Sequence, residues 1–167
     1  MSLSVIVALN GRTQQVLLDI ERVVERAEAM LQKARVTHDD DYYYDGIALN
    51  LHSFYAGVEA MFEDIARTLD GVIPDSPNWH QELLKQMAAE IAGVRPAVIS
   101  VQTRYRLDEY RSFRHLVRNL YTFHLRTSRV AELCDGLRGC YAALHGDVMS
   151  FLLLMQSLDE PVNGETA

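Results

Sequence analysis

Apolar residues recur every three or four positions along most of the chain, which is the periodicity of amphipathic helices. The first such run predicts a helix from about Arg12 to Arg35. The second run predicts a longer helix, which begins in the acidic segment DDDYYYDG and ends near Gly71. The aspartates of that segment suit the start of a helix, because negative charge is favourable at a helix N-terminus.

A shorter third helix is predicted after a loop that contains glycine and proline. Ser76 has the residue type of an N-cap, and Pro77 suits the first helical position because proline lacks the N–H that would be unpaired there. Gly93 follows the last apolar position and is expected to close this helix.

Two further helices complete the predicted fold. The fourth runs from about Pro96 to Phe123, and the fifth, capped by Thr127 or Ser128, continues to about Met155. No segment alternates apolar and polar residues in the manner of a half-buried strand. The chain is therefore predicted to be all-α, an up-and-down bundle of four to five long antiparallel helices.

The length and composition fit one globular domain. The chain has 167 residues, of which 49% are hydrophobic and 23% charged. We expect a single domain over residues 1–167, with a core of about 10–157 and a frayed tail at 159–167. No apolar run reaches the roughly 20 residues that a membrane span requires, and no basic segment precedes the first apolar residues. The sequence thus predicts a cytoplasmic protein without membrane contact.

Metal and cofactor chemistry is not expected from the motifs. Cys134 and Cys140 lie six residues apart, which is not the spacing of a CxxC pair, and we expect both to be free thiols. The six histidines show no HxxxH or HExxH spacing, and no glycine-rich phosphate loop is present. The sequence therefore predicts neither a metal ion nor a cofactor.

Charge is distributed very unevenly along the chain. The protein has 16 basic and 23 acidic residues, yet the segment Arg104–Arg129 contains seven arginines and two acids, a local charge of +5. Since the whole chain carries −7, the remainder carries −12. Arginine binds phosphate through a bidentate fork, so this segment predicts an anionic ligand. Its five aromatic residues could stack on RNA bases or could be core positions of the helix.

A helical projection of the fourth helix separates two candidate histidines. His115 falls on a polar face, where it could act as a proton acceptor, whereas His124 falls among apolar residues. The residues of the polar face are Arg111, Arg114, His115, Arg118, Asn119 and Thr122. Asn50 and His52 are also polar residues in an apolar helix. They could face the basic helix, or could form a buried hydrogen-bonded pair or an interface.

The segments NLHSFYAGVEAMFEDIA and LDEYRSFRHLVRNLYTFHL, separated by a short helix, resemble the HEPN superfamily and specifically its HepT-like ribonuclease toxins. The resemblance extends over about residues 10–157. It implies a helical homodimer whose site is an arginine and a histidine separated by four to six residues, often followed two residues later by a tyrosine. The two copies of the site meet at the dimer interface and form an RNA-cleaving cleft without metal. It also implies a minimal nucleotidyltransferase antitoxin as the partner.

Carried over to this chain, the motif arginine is Arg114 and the motif tyrosine is Tyr121, but the histidine position is Asn119. An amide can hold a phosphate or a hydroxyl by hydrogen bonds, but it cannot accept a proton at neutral pH. His115, one turn before Asn119, could supply the base instead. A second register pairs Arg118 with His124.

Three hypotheses follow. The first is a metal-independent endoribonuclease toxin with Arg114, Asn119, His115 and Tyr121 at its site, where Arg111 and Arg118 bind RNA phosphates. The second is a non-catalytic module that docks a minimal nucleotidyltransferase or binds RNA or nucleotide phosphates, which Asn119 favours. The third is a structural helical dimer whose arginines pair with acidic residues.

Overall fold

The computed structural model describes residues 3–37, 41–119 and 125–159. Within these ranges the chain forms five α-helices and no β-strand, which confirms the predicted all-α bundle. The helices are α1 (Leu3–Val36), α2 (Asp41–Ile65), α3 (Trp79–Met87), α4 (Val101–Asn119) and α5 (Thr127–Asp159). None of the described helices is both long and apolar enough to cross a membrane.

Side-chain contacts give the directions of the helices. Arg12 near the start of α1 binds Asp64 near the end of α2, whereas Arg35 at the end of α1 binds Asp135 in the first turns of α5. Both α2 and α5 are therefore antiparallel to α1. Helix α5 is also antiparallel to α4, because the N–H of Ser100, the residue before α4, donates to the carboxylate of Asp147 late in α5. Four long helices alternate in direction, and the short α3 packs against α2 and α4.

The core lies between the four long helices and continues under α3. Its largest fully buried side chains include several from α2, which contacts every other helix. These α2 residues are Ile47, Leu51, Phe54, Tyr55, Met61, Phe62 and Ile65. At about 25 cal/mol per Å² of apolar surface, burial of this one helix is a main source of the stability of the bundle.

Helix α1 begins earlier than the sequence predicted. The predicted start was Arg12, but the helix begins at Leu3 and includes Gly11. The additional turns bury Ile6 and Leu9, which are 3% and 1% exposed. Their burial offsets the cost of a glycine within a helix, which is about 1 kcal/mol. Tertiary packing therefore extends α1 beyond the point at which local sequence predicted its start.

Helix α2 ends in a wider, π-helical turn, Ala66–Asp70. The N–H of Gly71 donates to the carbonyl oxygen of Ala66 at 3.0 Å, five residues back, and Gly71 has φ 69°. Glycine adopts this left-handed conformation at little cost, which confirms Gly71 as the predicted end. The π-helical turn directs Asp70 toward the segment that follows α3.

Helix α3 ends at Met87, so the prediction that Gly93 closes it was wrong. Ser76 is not the N-cap either, because Asn78 occupies that position. Gly93 lies instead in a tight turn, with φ 74°, between Ile91 and Arg95. The helix stops early because a buried guanidinium, described next, binds carbonyl oxygens at its C-terminal end.

The Arg95 side chain is fully buried and is paired with Asp70. Its Nε and one terminal nitrogen donate to the two Asp70 oxygens at 2.6 and 2.8 Å. The remaining donors reach three backbone carbonyl oxygens, those of Gln86, Ala89 and Pro96. All five N–H groups of the guanidinium are therefore used. This pair fixes the segment between α3 and α4 on the end of α2.

Helix α4 begins at Val101, five residues after the predicted start at Pro96. The intervening residues pack as an extended segment, in which the N–H groups of Val98 and Ile99 donate to the Met87 carbonyl oxygen. Ser100 is the N-cap, because its Oγ accepts the N–H of Thr103 at 3.1 Å. Helix α5 begins at Thr127, so Thr127 and Ser128, the two residues predicted as caps, are its first residues.

Asn50 and His52 are the two polar residues that the sequence placed in the apolar helix α2. Asn50 donates to the Gly46 carbonyl oxygen at 2.8 Å and contacts the Met30 sulfur at 3.5 Å. Asn50 therefore faces α1 rather than the basic helix. His52 is half-buried on the same helix.

Cys134 and Cys140 are both free and buried in α5. Burial raises the pKa of the Cys134 thiol to about 11 and that of the Cys140 thiol to about 12, from an ordinary value of 9.0. The folded protein therefore retains protons that the unfolded chain loses above pH 9.0. It follows that this contribution to stability is present below that pH and is lost as the pH rises toward the folded values.

We expect both thiols to resist a disulfide reagent at pH about 8 until the protein is unfolded, because only the exposed thiolate reacts. We also expect the free energy of unfolding, measured in urea, to fall between pH about 9 and 11. The fall should be shallower in the double variant Cys134→Ala/Cys140→Ala. Equal slopes in the two proteins would contradict the burial argument.

Candidate functional site

The arginine-rich segment divides between two sides of α4. Arg106 of α4 faces α5 and donates to the Gly139 carbonyl oxygen, whereas Arg129 lies in α5 itself and pairs with Glu109 of α4 and with Glu132. The charge of Arg129 is therefore neutralised within the chain. The half-buried Arg104, Arg111 and Arg114 lie on the side of α4 that meets α2 and α3.

Arg114 is anchored by a buried carboxylate. Its NH1 group donates to Oε1 of Glu59 at 2.6 Å, and the Glu59 side chain is only 4% exposed. The Arg114 side chain is 17% exposed, so part of the guanidinium still reaches the surface. Among the described residues, Glu59 accepts from one of the five N–H donors of Arg114, and its Nε is buried without a hydrogen bond.

The same carboxylate holds a histidine of α3. Oε2 of Glu59 lies 2.5 Å from Nδ1 of His80, whose side chain is 24% exposed. The Trp79 ring packs on the His80 ring with their centroids 3.7 Å apart. One glutamate of α2 therefore joins the motif arginine of α4 to a histidine of α3.

The surroundings of Glu59 are poorly hydrated. The Tyr55 side chain, one turn earlier on α2, is 1% exposed. Burial, and then the negative charge of Glu59, raises the pKa of the Tyr55 phenol. In such an environment a carboxylate is stable only if it is paired, and Arg114 and His80 together satisfy both of its oxygens.

A cleft of about 160 Å³ lies between α3 and α4, where Gln81, the residue after His80, contributes to its lining. Its lining includes Lys85, Arg104 and Tyr105, with the Arg104 guanidinium 4.7 Å from the centre of the Tyr105 ring. Tyr105 is 65% exposed, so its ring face is available to a base. By contrast, Tyr110 and Phe113 are buried core residues, as one interpretation of the sequence anticipated.

The projection of α4 separates a polar face, which includes Arg114 and His115, from an apolar arc, which includes Leu116. In the structure His115 is exposed, Arg114 turns inward to Glu59, and Leu116 is 45% exposed. The buried stripe of α4 passes through Leu107, Tyr110 and Phe113, which leaves Leu116 outside it. Arg111 differs from the free phosphate-binding arginine that the sequence suggested, because its Nε donates to Asp108 at 2.6 Å.

The rest of the predicted motif falls where the structure gives no side-chain detail. Arg118 and Asn119 belong to the last turn of α4, but their side chains lie outside the described residues. Tyr121 and His124 lie wholly outside them. The proposed roles of these four residues therefore remain predictions.

Glu59 and His80 were not among the predicted site residues. A signal for Glu59 exists in the sequence, since it is an acid at a core position of α2, beside Val58 and before Met61 and Phe62. No local signal marks His80. Among the described histidines, cysteines and acids, no group is arranged to hold a metal ion.

Comparison with known proteins bears on this arrangement. A family model described as HepT-like protein matches residues 46–155, which contain most of α2, all of α3 and α4, and most of α5. A search of curated proteins and a search of solved structures gave no match. The matched range is more than half of the chain and includes Glu59, His80 and Arg114. The chain therefore belongs to the HepT-like family.

Proposed function

We propose that the protein is a metal-independent endoribonuclease toxin of a toxin–antitoxin pair. The observation that supports this best is Arg114, the motif arginine, which the buried Glu59 fixes on α4, the helix that also contributes Arg104 and Tyr105 to the cleft. A guanidinium held in place by a carboxylate needs little reorganisation to stabilise charge on a phosphoryl oxygen. The proposed reaction is attack of an RNA 2′-hydroxyl on the adjacent phosphorus.

Other residues are proposed to complete the site. Arg111 and Arg118 bind flanking phosphates, and Asn119 holds a ribose or phosphate oxygen by hydrogen bonds. Tyr121 takes the position of the motif tyrosine. The exposed His115 is one candidate proton acceptor, and in the second register Arg118 acts with His124.

The active form is proposed to be a homodimer in which two copies of the site meet. Three apolar side chains on the exposed face of α4 support this, because a second copy would cover them; they are Val101, Tyr105 and Leu116. A minimal nucleotidyltransferase is proposed as the antitoxin. Light scattering should give a mass of two 19.0 kDa chains, and a mass of one would contradict the composite site.

The decisive test is cleavage of single-stranded RNA in EDTA by the wild type and by Arg114→Ala. We expect the variant to be slower by about 10²–10³, because a donor to the phosphoryl oxygens is lost. Arg67→Ala is a matched control, since Arg67 lies on the π-helical turn and its side chain is 68% exposed. Equal rates for Arg114→Ala and the wild type would show that the site is wrong.

Asn119 favours a second candidate function, a non-catalytic module that binds RNA or nucleotide phosphates or docks a nucleotidyltransferase. Arg111 pairs with Asp108 and Arg114 pairs with Glu59, which fits a module without catalytic activity. This function predicts RNA binding without cleavage, with an affinity that falls steeply as salt is raised. An absence of binding at low salt would favour a purely structural dimer.

A further inference from the structure

We propose that His80, oriented by Glu59, is the base that removes the proton from the RNA 2′-hydroxyl. The inference rests on the proposed nuclease function and assigns the catalytic role that Asn119 cannot fill. It places the base on α3, which packs against the motif helix α4.

The first step of the argument concerns the tautomer of His80. Oε1 of Glu59 accepts from Arg114, and a carboxylate in such an ion pair has only acceptor oxygens, so Oε2 accepts as well. Nδ1 of His80, 2.5 Å from Oε2, therefore carries the hydrogen. In a neutral imidazole this leaves the lone pair on Nε2, the atom that can take a proton.

The second step concerns orientation and access. A carboxylate bound to one ring nitrogen fixes the ring and stabilises the imidazolium that forms when the other nitrogen accepts a proton. Glu59 is 4% exposed and cannot itself reach RNA, whereas the His80 side chain is 24% exposed. Packing of the Trp79 ring on the His80 ring restricts the imidazole further. Within the described residues Nε2 has no hydrogen-bond partner, so this nitrogen is left for a ligand.

The third step concerns the distance between base and phosphate ligand. His80 and Arg114 bind the two oxygens of one carboxylate, so the imidazole and the guanidinium are held one carboxylate apart. In RNA the 2′-hydroxyl and the adjacent phosphate are separated by two carbon atoms of the ribose and the 3′-oxygen. A base and a phosphoryl ligand at neighbouring positions match that substrate.

In the proposed step, Nε2 of His80 takes the 2′-hydroxyl proton while the 2′-oxygen forms a bond to phosphorus. The bond from phosphorus to the 5′-oxygen breaks, and that oxygen takes a proton from water. Arg114 stabilises the charge on the phosphoryl oxygens. The products are a 2′,3′-cyclic phosphate and a 5′-hydroxyl end, with no metal or redox partner required.

The test compares His80→Gln with His145→Gln, a control at an exposed histidine of α5. Cleavage of single-stranded RNA in EDTA should fall by about 10²–10⁴ in the first variant and remain unchanged in the second. Affinity for 2′-O-methyl RNA, which cannot be cleaved by this step, should change by less than about twofold in both. Added imidazole can replace a missing base but not a missing structural contact. If His80 is the base, imidazole should therefore partly restore cleavage by His80→Ala.

A second readout does not depend on cleavage. Nitrogen-15 NMR of the ligand-free protein should show the His80 ring protonated at Nδ1 and not at Nε2, and Glu59→Gln should remove this preference. Protonation at Nε2 alone in the wild type would overturn the assignment.

The outcomes separate the two proposals. If the wild type cleaves RNA and Arg114→Ala does not, yet His80→Gln is as fast as the wild type, the base is not His80 and the nuclease function stands. If the wild type does not cleave RNA, the nuclease function fails and the role of His80 fails with it. Loss of cleavage in His80→Ala without rescue by imidazole reduces His80 to a positioning residue.

Discussion

Arg95→Ala is expected to lower the free energy of unfolding by about 3–5 kcal/mol, because it leaves Asp70 charged and buried without its partner. The Asp70 side chain is 3% exposed, and of the side chains that donate to it in the described part of the chain only Gln86, at 2.6 Å, would remain. The three carbonyl oxygens that Arg95 binds would also lose their donor. Unfolding in urea measures the change.

The matched control is Arg12→Ala. Arg12 also forms a bidentate pair, with Asp64 at 2.8 and 3.1 Å, but the two side chains are 51% and 35% exposed. Exposed pairs contribute about 0–1 kcal/mol. If the two substitutions cost the same, burial is not what makes the Arg95 pair important.

Glu59→Gln is expected to slow RNA cleavage by about 10²–10⁴, since the amide cannot hold Arg114 and His80 as a carboxylate does. The variant should also be less stable by about 1–3 kcal/mol, because Arg114 loses its negatively charged partner while still largely buried. Initial rates with single-stranded RNA and unfolding in urea measure the two effects.

Glu63→Gln, one turn further along α2, is the control for charge. Glu63 is half-buried and lies 3.7 Å from the exposed Arg67, so its loss should change rate and stability little. Cleavage by Glu59→Gln at the rate of Glu63→Gln would mean that the buried carboxylate has no part in function.

Much of the fold could be predicted because it depends on local periodicity. The end of α2 at Gly71 and the range of α5 follow from apolar spacing and from turn residues. The boundaries that failed depend on distant partners. Helix α3 ends at Met87 because Arg95 binds its last carbonyl oxygens, and nothing in the intervening sequence marks that contact.

The candidate site could be predicted only in part. Arg114 was identified from the motif that it shares with the family, and the family is confirmed. Its partner Glu59 lies 55 residues earlier and His80 lies 21 residues from Glu59, so no spacing rule on one helix connects them. The projection of α4 groups Arg114 with other polar residues, because a helical wheel considers one helix alone. It cannot show that a buried acid on a neighbouring helix binds the arginine.

The π-helical turn at the end of α2 determines the direction in which its last residues point. A π-helical turn holds about one residue more than an α-helical turn, and one residue of an α-helix corresponds to a rotation of about 100°. If the same five residues, Ala66–Asp70, were wound as an α-helix, Asp70 would be rotated by about 100°, away from the Arg95 guanidinium. The wide turn therefore sets the direction of Asp70, and the buried pair that joins α2 to the segment before α4 depends on it.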